Sequence, residues 1–402
     1  MYALNKLKKD TYVVYLSRVL TSIAVSLPHA VLTLILLAKG IEIYQIGLIQ
    51  GFFNVTMMLV ELPSGILTDI FKKKNVFLVS LVFLAVAFSI ILLSSNVIML
   101  SIAWSIYGLA SALDTGSLES DLINKIKEKD ETKYPQVFQK INQYDTLGAI
   151  AGSLIGFLLY QIIGVKIYLI SICMLCILFF IVVFAYSYEK DFEHEEKIET
   201  FKNLMGKAVS QFKNSLKEVF MKKELILYIL GMALLQIYIQ FHFHYWQAMF
   251  LDRKISEDLF YIVYLIFQGI NYLVYRIKVT KMSGKRIGIY LLINMVSGVF
   301  LYYLTNSYIY FLFYCIVVFI FFLIKYYYHY HIYHMVSQNT ISTIVSLSSS
   351  LERLIASVSL FVLSPLLNFI SLSSLFIGII IVVSILMGII FFILKKQKKI
   401  FD

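Results

Sequence analysis

Long apolar segments recur along the whole chain, and each is long enough to cross the hydrocarbon core of a lipid bilayer. A helix needs about 20 predominantly apolar residues to span about 30 Å, and in lipid its backbone must satisfy its own hydrogen bonds. This pattern restricts the chain to an all-helical integral membrane fold. We predict twelve spanning helices, at residues 11–38, 44–70, 75–94, 97–123, 139–164, 167–187, 224–250, 257–279, 287–304, 307–333, 339–367 and 373–394.

The composition excludes an ordinary soluble protein. Hydrophobic residues make up 60% of the 402 residues and charged residues only 15%, whereas soluble domains contain about 25% charged residues. The first apolar segment is too long for a cleavable signal peptide, and no small-residue cleavage site follows a short core. We therefore interpret it as the first spanning helix.

Positive charges lie in every second connection between the predicted spans. Such an excess marks the cytoplasmic connections of membrane proteins. We therefore expect a multi-pass protein of the cell membrane with both termini in the cytoplasm. The supporting residues are Lys6, Lys8 and Lys9, then Lys72, Lys73 and Lys74, then Lys125, Lys127, Lys129, Lys133 and Lys140, then Arg276, Lys278, Lys281, Lys285 and Arg286, and finally Lys395, Lys396, Lys398 and Lys399.

One long polar segment divides the chain. Residues 188–223 begin acidic and end basic, with apolar residues at helical spacing in the second part, which predicts an amphipathic cytoplasmic linker. We expect an N-terminal six-helix bundle over residues 1–187 and a C-terminal six-helix bundle over residues 224–402. Two equal halves in a membrane chain suggest a duplicated repeat.

A charged turn follows the second span, in the stretch Gly65-Ile-Leu-Thr-Asp69-Ile-Phe-Lys72-Lys73-Lys74. An aspartate there can pair with a cation, or cap a helix N-terminus, in only one of two conformations. The lysines also suit the role of topology anchors. The residues alone leave both interpretations open.

This stretch resembles the cytoplasmic loop motif of the major facilitator superfamily, roughly Gly-x-Leu-x-Asp-Arg-x-Gly-Arg-Lys/Arg, with Ile70 and Lys72 as departures. The layout of six plus six spans is also similar to that family. The resemblance implies two six-helix bundles around a central cavity that opens alternately to either side. It also implies that Gly65, Asp69 and the lysines Lys72 to Lys74 form a cytoplasmic gate.

Two signatures of proton-coupled exporters in that superfamily are present only in part. In the fourth span, Trp104 stands where the exporter pattern has arginine. In the fifth, Gly148, Gly152 and Gly156 keep the spacing of four, but Ser153 replaces the proline. Small residues at this spacing also let two helices pack closely.

Ionisable side chains inside the first six predicted spans are candidates for function, because burying them in lipid is costly. Asp114 is our first choice for a coupling carboxylate, since a carboxylate in a low-dielectric cavity takes up a proton more readily. Asp121 lies seven residues further, two turns along the same face of a continuous helix. Arg18 is either a gate partner or a snorkelling anchor, and Asp145 is expected near Asp114.

The second half offers further cavity candidates. Glu352 and Arg353 are adjacent and point about 100° apart on a helix, so we expect Arg353 to pair with an acid on another helix. Lys325 in the tenth span is expected towards the cytoplasm, among interfacial aromatic residues. The uncharged candidates for lining a cavity are Gln236, Gln240, Gln268 and Asn271.

No metal site, cofactor or enzymatic activity is expected. Cys173 and Cys176 have no other ligand beside them, and His242 and His244 do not share a helical face at a spacing of two. The sequence has no phosphate-binding Gly-Lys-Ser/Thr loop, no Gly-x-Ser-x-Gly nucleophile elbow and no His-Glu-x-x-His. An ATP-driven pump and a membrane hydrolase are therefore not expected.

Together these features predict a secondary active transporter that exports a small amphipathic compound in exchange for protons by alternating access. Its partners are expected to be a small-molecule substrate, protons and the lipid bilayer, with no nucleic acid, and the chain is expected to act as a monomer. Two alternatives stay open. One is an uncoupled facilitator or a nutrient or lipid-precursor transporter, and the other is a non-transporting membrane sensor.

Overall fold

The computed structural model describes residues 2–186 except 71, 116, 131 and 132, and then residues 206, 210, 213, 217, 219–279, 282, 284–336 and 341–401. For residues 2–6, 62–70, 135, 284, 341–343 and 397–401 it describes the backbone alone. Most of the linker predicted at 188–223 lies outside the described residues.

Every regular element among the described residues is a helix, and fourteen of these are α-helices. Short 3₁₀ turns at Gly164–Lys166, Glu257–Leu259 and Ser364–Asn368 join some of them. The α-helices are α1 (Tyr2–His29), α2 (Leu32–Ala38), α3 (Ile43–Ile70), α4 (Lys73–Leu93), α5 (Val97–Asp114), α6 (Leu118–Asp130), α7 (Tyr134–Ile163), α8 (Ile167–Ala185), α9 (Lys223–Asp252), α10 (Phe260–Arg276), α11 (Gly284–Tyr303), α12 (Ser307–Met335), α13 (Ile341–Leu363) and α14 (Leu372–Phe401).

Eleven stretches of the described residues are long and apolar enough to cross a membrane. The longest, Gln136–Ala185, contains both α7 and α8, which a turn at Gly164 separates with a φ of +54°. Counting these two helices separately gives twelve long apolar helices in the described part of the chain. The predicted all-helical membrane fold is confirmed.

The predicted fourth span, 97–123, is wrong at its C-terminal end. Helix α5 ends at Asp114, and α6 begins at Leu118 as a separate helix. Thr115 Oγ1 donates to the carbonyl of Ser111 at 2.9 Å, and Ser117 Oγ donates to the carbonyl of Asp114 at 2.8 Å. Such hydroxyl-to-backbone bonds compete with the helical ladder, so Asp114 and Asp121 do not share one face of one helix.

The predicted first span, 11–38, is also interrupted. Helix α1 ends at His29, directly after Pro28, and α2 begins at Leu32. Proline in the last turn donates no backbone hydrogen bond, and Val31 leaves the helical conformation with a φ of −124°.

The chain divides into two compact units, each with its own packing. Unit 1 comprises Met1–Glu42 and Phe52–Gly206, and unit 2 comprises Ile43–Gly51 and Lys207–Asp402. In unit 1, α1 packs against α7 and α8, and α4 packs against α5 and α8. In unit 2, α9 packs against α13 and α14, and α11 packs against α12 and α14. The corresponding long helices of the two units therefore make the same four pairings. The predicted domain boundaries at 187 and 224 stay a prediction.

A left-handed turn follows α2 in unit 1 and α9 in unit 2. Gly40 has a φ of +77° and Lys254 a φ of +58°. The amide of Ile41 donates to the carbonyl of Leu36 at 3.1 Å, and the amide of Ile255 donates to that of Phe250 at 2.9 Å. Each turn satisfies carbonyls at a helix C-terminus.

The basic residue before each left-handed turn bonds the end of a neighbouring helix. Lys39 Nζ donates to the carbonyls of Leu92 at 3.1 Å and Ser94 at 2.9 Å, at the end of α4. Arg253 donates in the same way to two carbonyls at the end of α11, those of Leu304 at 2.7 Å and Leu301 at 3.2 Å. A cation at a helix C-terminus satisfies free carbonyls and the helix dipole. Because the same kind of contact occurs in both units, it supports their origin as two copies of one repeat.

Candidate functional site

A charge cluster in unit 1 is centred on Arg18. Arg18 Nη1 lies 2.9 Å from Asp114 Oδ2, and Arg18 Nη2 lies 3.4 Å from Glu119 Oε2. The three side chains are between 14% and 25% exposed, so most of each side chain is shielded from solvent and a part remains accessible to it. The break between α5 and α6 places the two carboxylates on separate helices, where both reach one guanidinium.

A third carboxylate belongs to the same cluster. Asp145 on α7 accepts a short hydrogen bond from Ser22 Oγ on α1, and it interacts electrostatically with both Arg18 and Glu119. One cation therefore faces three acids, and the cluster carries an excess of negative charge. The second oxygen of Asp114, Oδ1, is buried and accepts no hydrogen bond from the described residues.

The structure thus brings together Arg18, Asp114 and Asp145, which the sequence singled out separately. It adds Glu119, which a continuous helix would place about 140° away from the face of Asp114. Because the helix breaks between Asp114 and Glu119, that angle does not apply. The signal that could have found Glu119 is the Thr-Gly-Ser stretch at 115–117, whose residue types favour turns over helix.

A second ionic cluster in unit 1 joins α1, α6 and the end of α8. Lys125 Nζ lies 2.8 Å from Asp121 Oδ2 and 3.5 Å from Asp10 Oδ2. The hydroxyl of Tyr186 donates to Asp121 Oδ2 at 2.6 Å, and Lys125 also lies over the ring of Tyr186, 4.6 Å from its centroid. Asp10 is 2% exposed, and a carboxylate so buried needs a nearby cation.

The motif of the second connection lies only partly within the described side chains. The side chains of the stretch that holds Gly65 and Asp69 lie outside them, so the gate assigned to Asp69 stays a prediction. Lys72 and Lys73 are half-buried at the start of α4. Lys74 is a helix cap, since its Nζ donates at 2.9 Å to two carbonyls at the end of α8, those of Val183 and Tyr186.

In unit 2 the charged candidates lie on α12 and α13. Glu352 accepts a hydrogen bond from Ser348 Oγ at 3.2 Å and interacts electrostatically with Lys325 and Arg353. The strongest electrostatic partner of Glu352 is Lys325 on α12. Sequence reasoning missed this role of Lys325, because it grouped the residue with the interfacial aromatic residues that follow it.

The uncharged candidates differ in their contacts. Gln240 Oε1 is paired with His244 Nε2 on its own helix at 2.8 Å, and Gln236 has a buried Oε1 without a hydrogen bond from a described residue. Gln268 and Asn271 on α10 are half-buried. Their assignment to a cavity stays a prediction.

The histidines of α9 serve separate contacts. His242 is fully buried, and its Nδ1 lies 2.8 Å from the hydroxyl of Tyr314, whereas His244 pairs with Gln240. No group of three or more histidine, cysteine or acidic residues that could hold a metal ion occurs within the part of the chain that the structure describes.

Comparison with known proteins identifies a family. The family model described as "MFS_1 like family" matches residues 11–307. The protein "Uncharacterized MFS-type transporter MJ1560" of Methanocaldococcus jannaschii is 26% identical over 163 residues, which cover 40% of this chain and 42% of the relative. The chain therefore spans about two fifths of the length of that curated relative.

Two solved transporter structures share the fold. A bacterial homologue of the human lysosomal transporter Spinster, in an inward-facing and occupied conformation, superposes with a TM-score of 0.70 at 13% identity over 96% of both chains. The POT family transporter PepTSo superposes with a TM-score of 0.68 at 14% identity, over 97% of this chain and 99% of that chain. At these identities the likeness shows the fold alone.

Proposed function

The chain belongs to the MFS_1 like family, and on that premise we propose that it is a secondary active transporter that exports a small amphipathic compound in exchange for protons. The observation that carries the proposal is the cluster of Arg18, Asp114, Glu119 and Asp145. Ionisable groups at membrane depth are costly, and this cluster holds more acids than its single cation neutralises.

The proposed coupling step is the release of Arg18 by Asp114. Protonation of Asp114 removes its charge and weakens the 2.9 Å bond to Arg18, while Glu119 retains the guanidinium. α5 is then free to shift relative to α1 within unit 1. A proton and the cargo stabilise different arrangements of the same helices, which is what alternating access requires.

The orientation of the protein in the membrane is proposed from the charge pattern. The basic connections favour a protein of the cell membrane with both termini in the cytoplasm. We propose that one chain is the functional unit, because two repeats within one chain supply both halves of a transporter of this family.

An uncoupled facilitator is the second candidate. Trp104 stands where the exporter pattern has arginine, and the bond between Arg18 and Asp114 also suits a purely structural ion pair. The two candidates differ in whether cargo movement carries protons.

Proteoliposomes with an internal pH dye test the proposal, with ethidium, 4-phenylbutyrate and lactose as probes of three chemical classes. We expect one probe class to evoke proton movement in wild type and none to do so in Asp114→Asn. Asp130→Asn is the matched control, because Asp130 forms a surface pair with Lys133 at 2.9 Å outside the cluster. Probe flux without proton movement, unchanged in Asp114→Asn, would establish the facilitator. No flux of any probe would favour the sensor.

A further inference from the structure

Lys325 is a cation inside a spanning helix of unit 2, and it forms no ion pair with another described residue. It lies well within the 29-residue helix α12 and is half-buried. It interacts with Glu352 through space, but it forms no hydrogen bond or ion pair with any other described residue. Charged side chains at such depth normally pair with each other or mark a ligand pathway.

Glu352, which interacts electrostatically with Lys325, forms its hydrogen bond to another side chain. It lies at the midpoint of the 23-residue helix α13, and Ser348 one turn away donates to its Oε1 at 3.2 Å. Helix α9 packs against both α12 and α13. The ammonium of Lys325 and the carboxylate of Glu352 attract each other without forming an ion pair.

Among the described residues, Glu352 is the acid in electrostatic contact with Lys325. Arg353 also interacts with Glu352 and has a further contact of its own. His329, one turn further along α12, is another titratable group in electrostatic contact with Lys325. An anion brought to Lys325 would be attracted by its ammonium, which forms no ion pair with a described residue.

Tyr328 supplies a second, independent observation. It is 0% exposed, and its hydroxyl has no hydrogen-bond partner among the described residues. Residues three apart lie on the same face of a helix, so Tyr328 follows Lys325 along one face of α12. A buried hydroxyl left without a partner is costly, and an acceptor atom of a ligand would satisfy it.

We propose that Lys325 binds an anionic group, a carboxylate or a phosphate, of the transported compound. The cargo is then an amphipathic organic anion, and Glu352 is the internal acid that attracts Lys325 when cargo is absent. This assignment rests on the proposed transport function and narrows its substrate class.

Binding to the purified full-length chain tests the assignment without requiring transport. The probes are 4-phenylbutyrate, 4-phenylbutylamine and 4-phenylbutanol, which share one apolar body and differ in the charge of the head group. Ligand that binds only the folded chain raises its unfolding midpoint as the concentration increases. We expect 4-phenylbutyrate to act at the lowest concentration in wild type.

Three substitutions of Lys325 separate charge from shape. Lys325→Arg keeps the cation and should keep the preference, and Lys325→Met should require about tenfold more 4-phenylbutyrate. Lys325→Glu should reverse the preference in favour of 4-phenylbutylamine. Lys325→Met removes a half-buried charge that forms no ion pair with another described residue, so we expect it to fold at least as stably as wild type.

The outcomes distinguish this assignment from the proposed function. Equal responses to all three probes, no response to any, or an unchanged titration in Lys325→Met would overturn the anion site. Absence of proton movement with charge-selective binding intact would instead contradict the coupling to protons and leave the anion site standing.

Discussion

Arg18 and Asp114 join α1 to the last residue of α5 through a charge-assisted bond of 2.9 Å. Arg18→Met removes the cation and leaves Asp114, Glu119 and Asp145 uncompensated. We expect a loss of about 3 kcal/mol in the free energy of unfolding, as for other shielded pairs that lose one partner. Asp114→Asn should cost less, because Glu119 still holds the guanidinium at 3.4 Å.

A double-mutant cycle measures the pair. The single variants and the combination are unfolded reversibly with SDS in bicelles, and an interaction energy of about 1–3 kcal/mol is expected for residues in contact. Additive losses would show that the two side chains do not interact in the folded protein.

Gly152 lies directly against the backbone of α1. A Cβ added there would come within 2.8 Å of both the Cα and the carbonyl oxygen of Ile23. We expect Gly152→Ala to destabilise unit 1 by about 1–3 kcal/mol through overpacking. Gly388→Ala is the matched control, since nothing lies within 4 Å of its added Cβ. Equal unfolding midpoints for the two variants would contradict the close packing of α7 on α1.

Lys39 and Arg253 should behave alike, because each bonds two carbonyls at the end of a neighbouring helix. We expect Lys39→Met and Arg253→Met each to lower stability by about 1–3 kcal/mol, as partly buried carbonyls lose charged donors. Glu257→Gln, at an exposed position of unit 2, controls for a simple change of charge. A loss in only one of the two variants would contradict the structural repeat.

The pH dependence of the Lys39 contribution has a definite sign. Burial lowers the pKa of Lys39 from its ordinary value of 10.5, so the unfolded chain binds this proton more tightly than the folded chain. Stability from this group therefore rises as the pH rises through the lowered pKa towards 10.5. The difference in unfolding midpoint between wild type and Lys39→Met should increase over that interval, and a decrease would contradict the burial of the ammonium.

The fold could be predicted from the sequence because the length of an apolar segment alone decides whether it spans a bilayer. The break after Asp114 could not be predicted from hydropathy, since Thr115 and Ser117 interrupt the helix through hydroxyl bonds to local carbonyls. The length of an apolar segment carries no information about such hydrogen bonds.

The partners of the charged residues were harder to predict than the residues themselves. Arg18 and Asp114 were recognised because ionisable groups in spans are conspicuous, whereas the relation of Lys325 to Glu352 depends on how α9 packs against both of their helices. The sequence suggests the repeat only through its two equal halves, whereas the structure shows it in Lys39 and Arg253, which share a position and a charge but not a residue type.

Accumulation of cargo driven by an imposed pH gradient tests most directly whether Asp114 couples transport to protons. Proteoliposomes of wild type and Asp114→Asn are compared in two modes, gradient-driven accumulation and exchange between equal cargo concentrations on both sides. The account predicts that wild type performs both, whereas Asp114→Asn retains exchange and loses accumulation. Accumulation of wild-type magnitude in Asp114→Asn would contradict the assignment of the coupling acid.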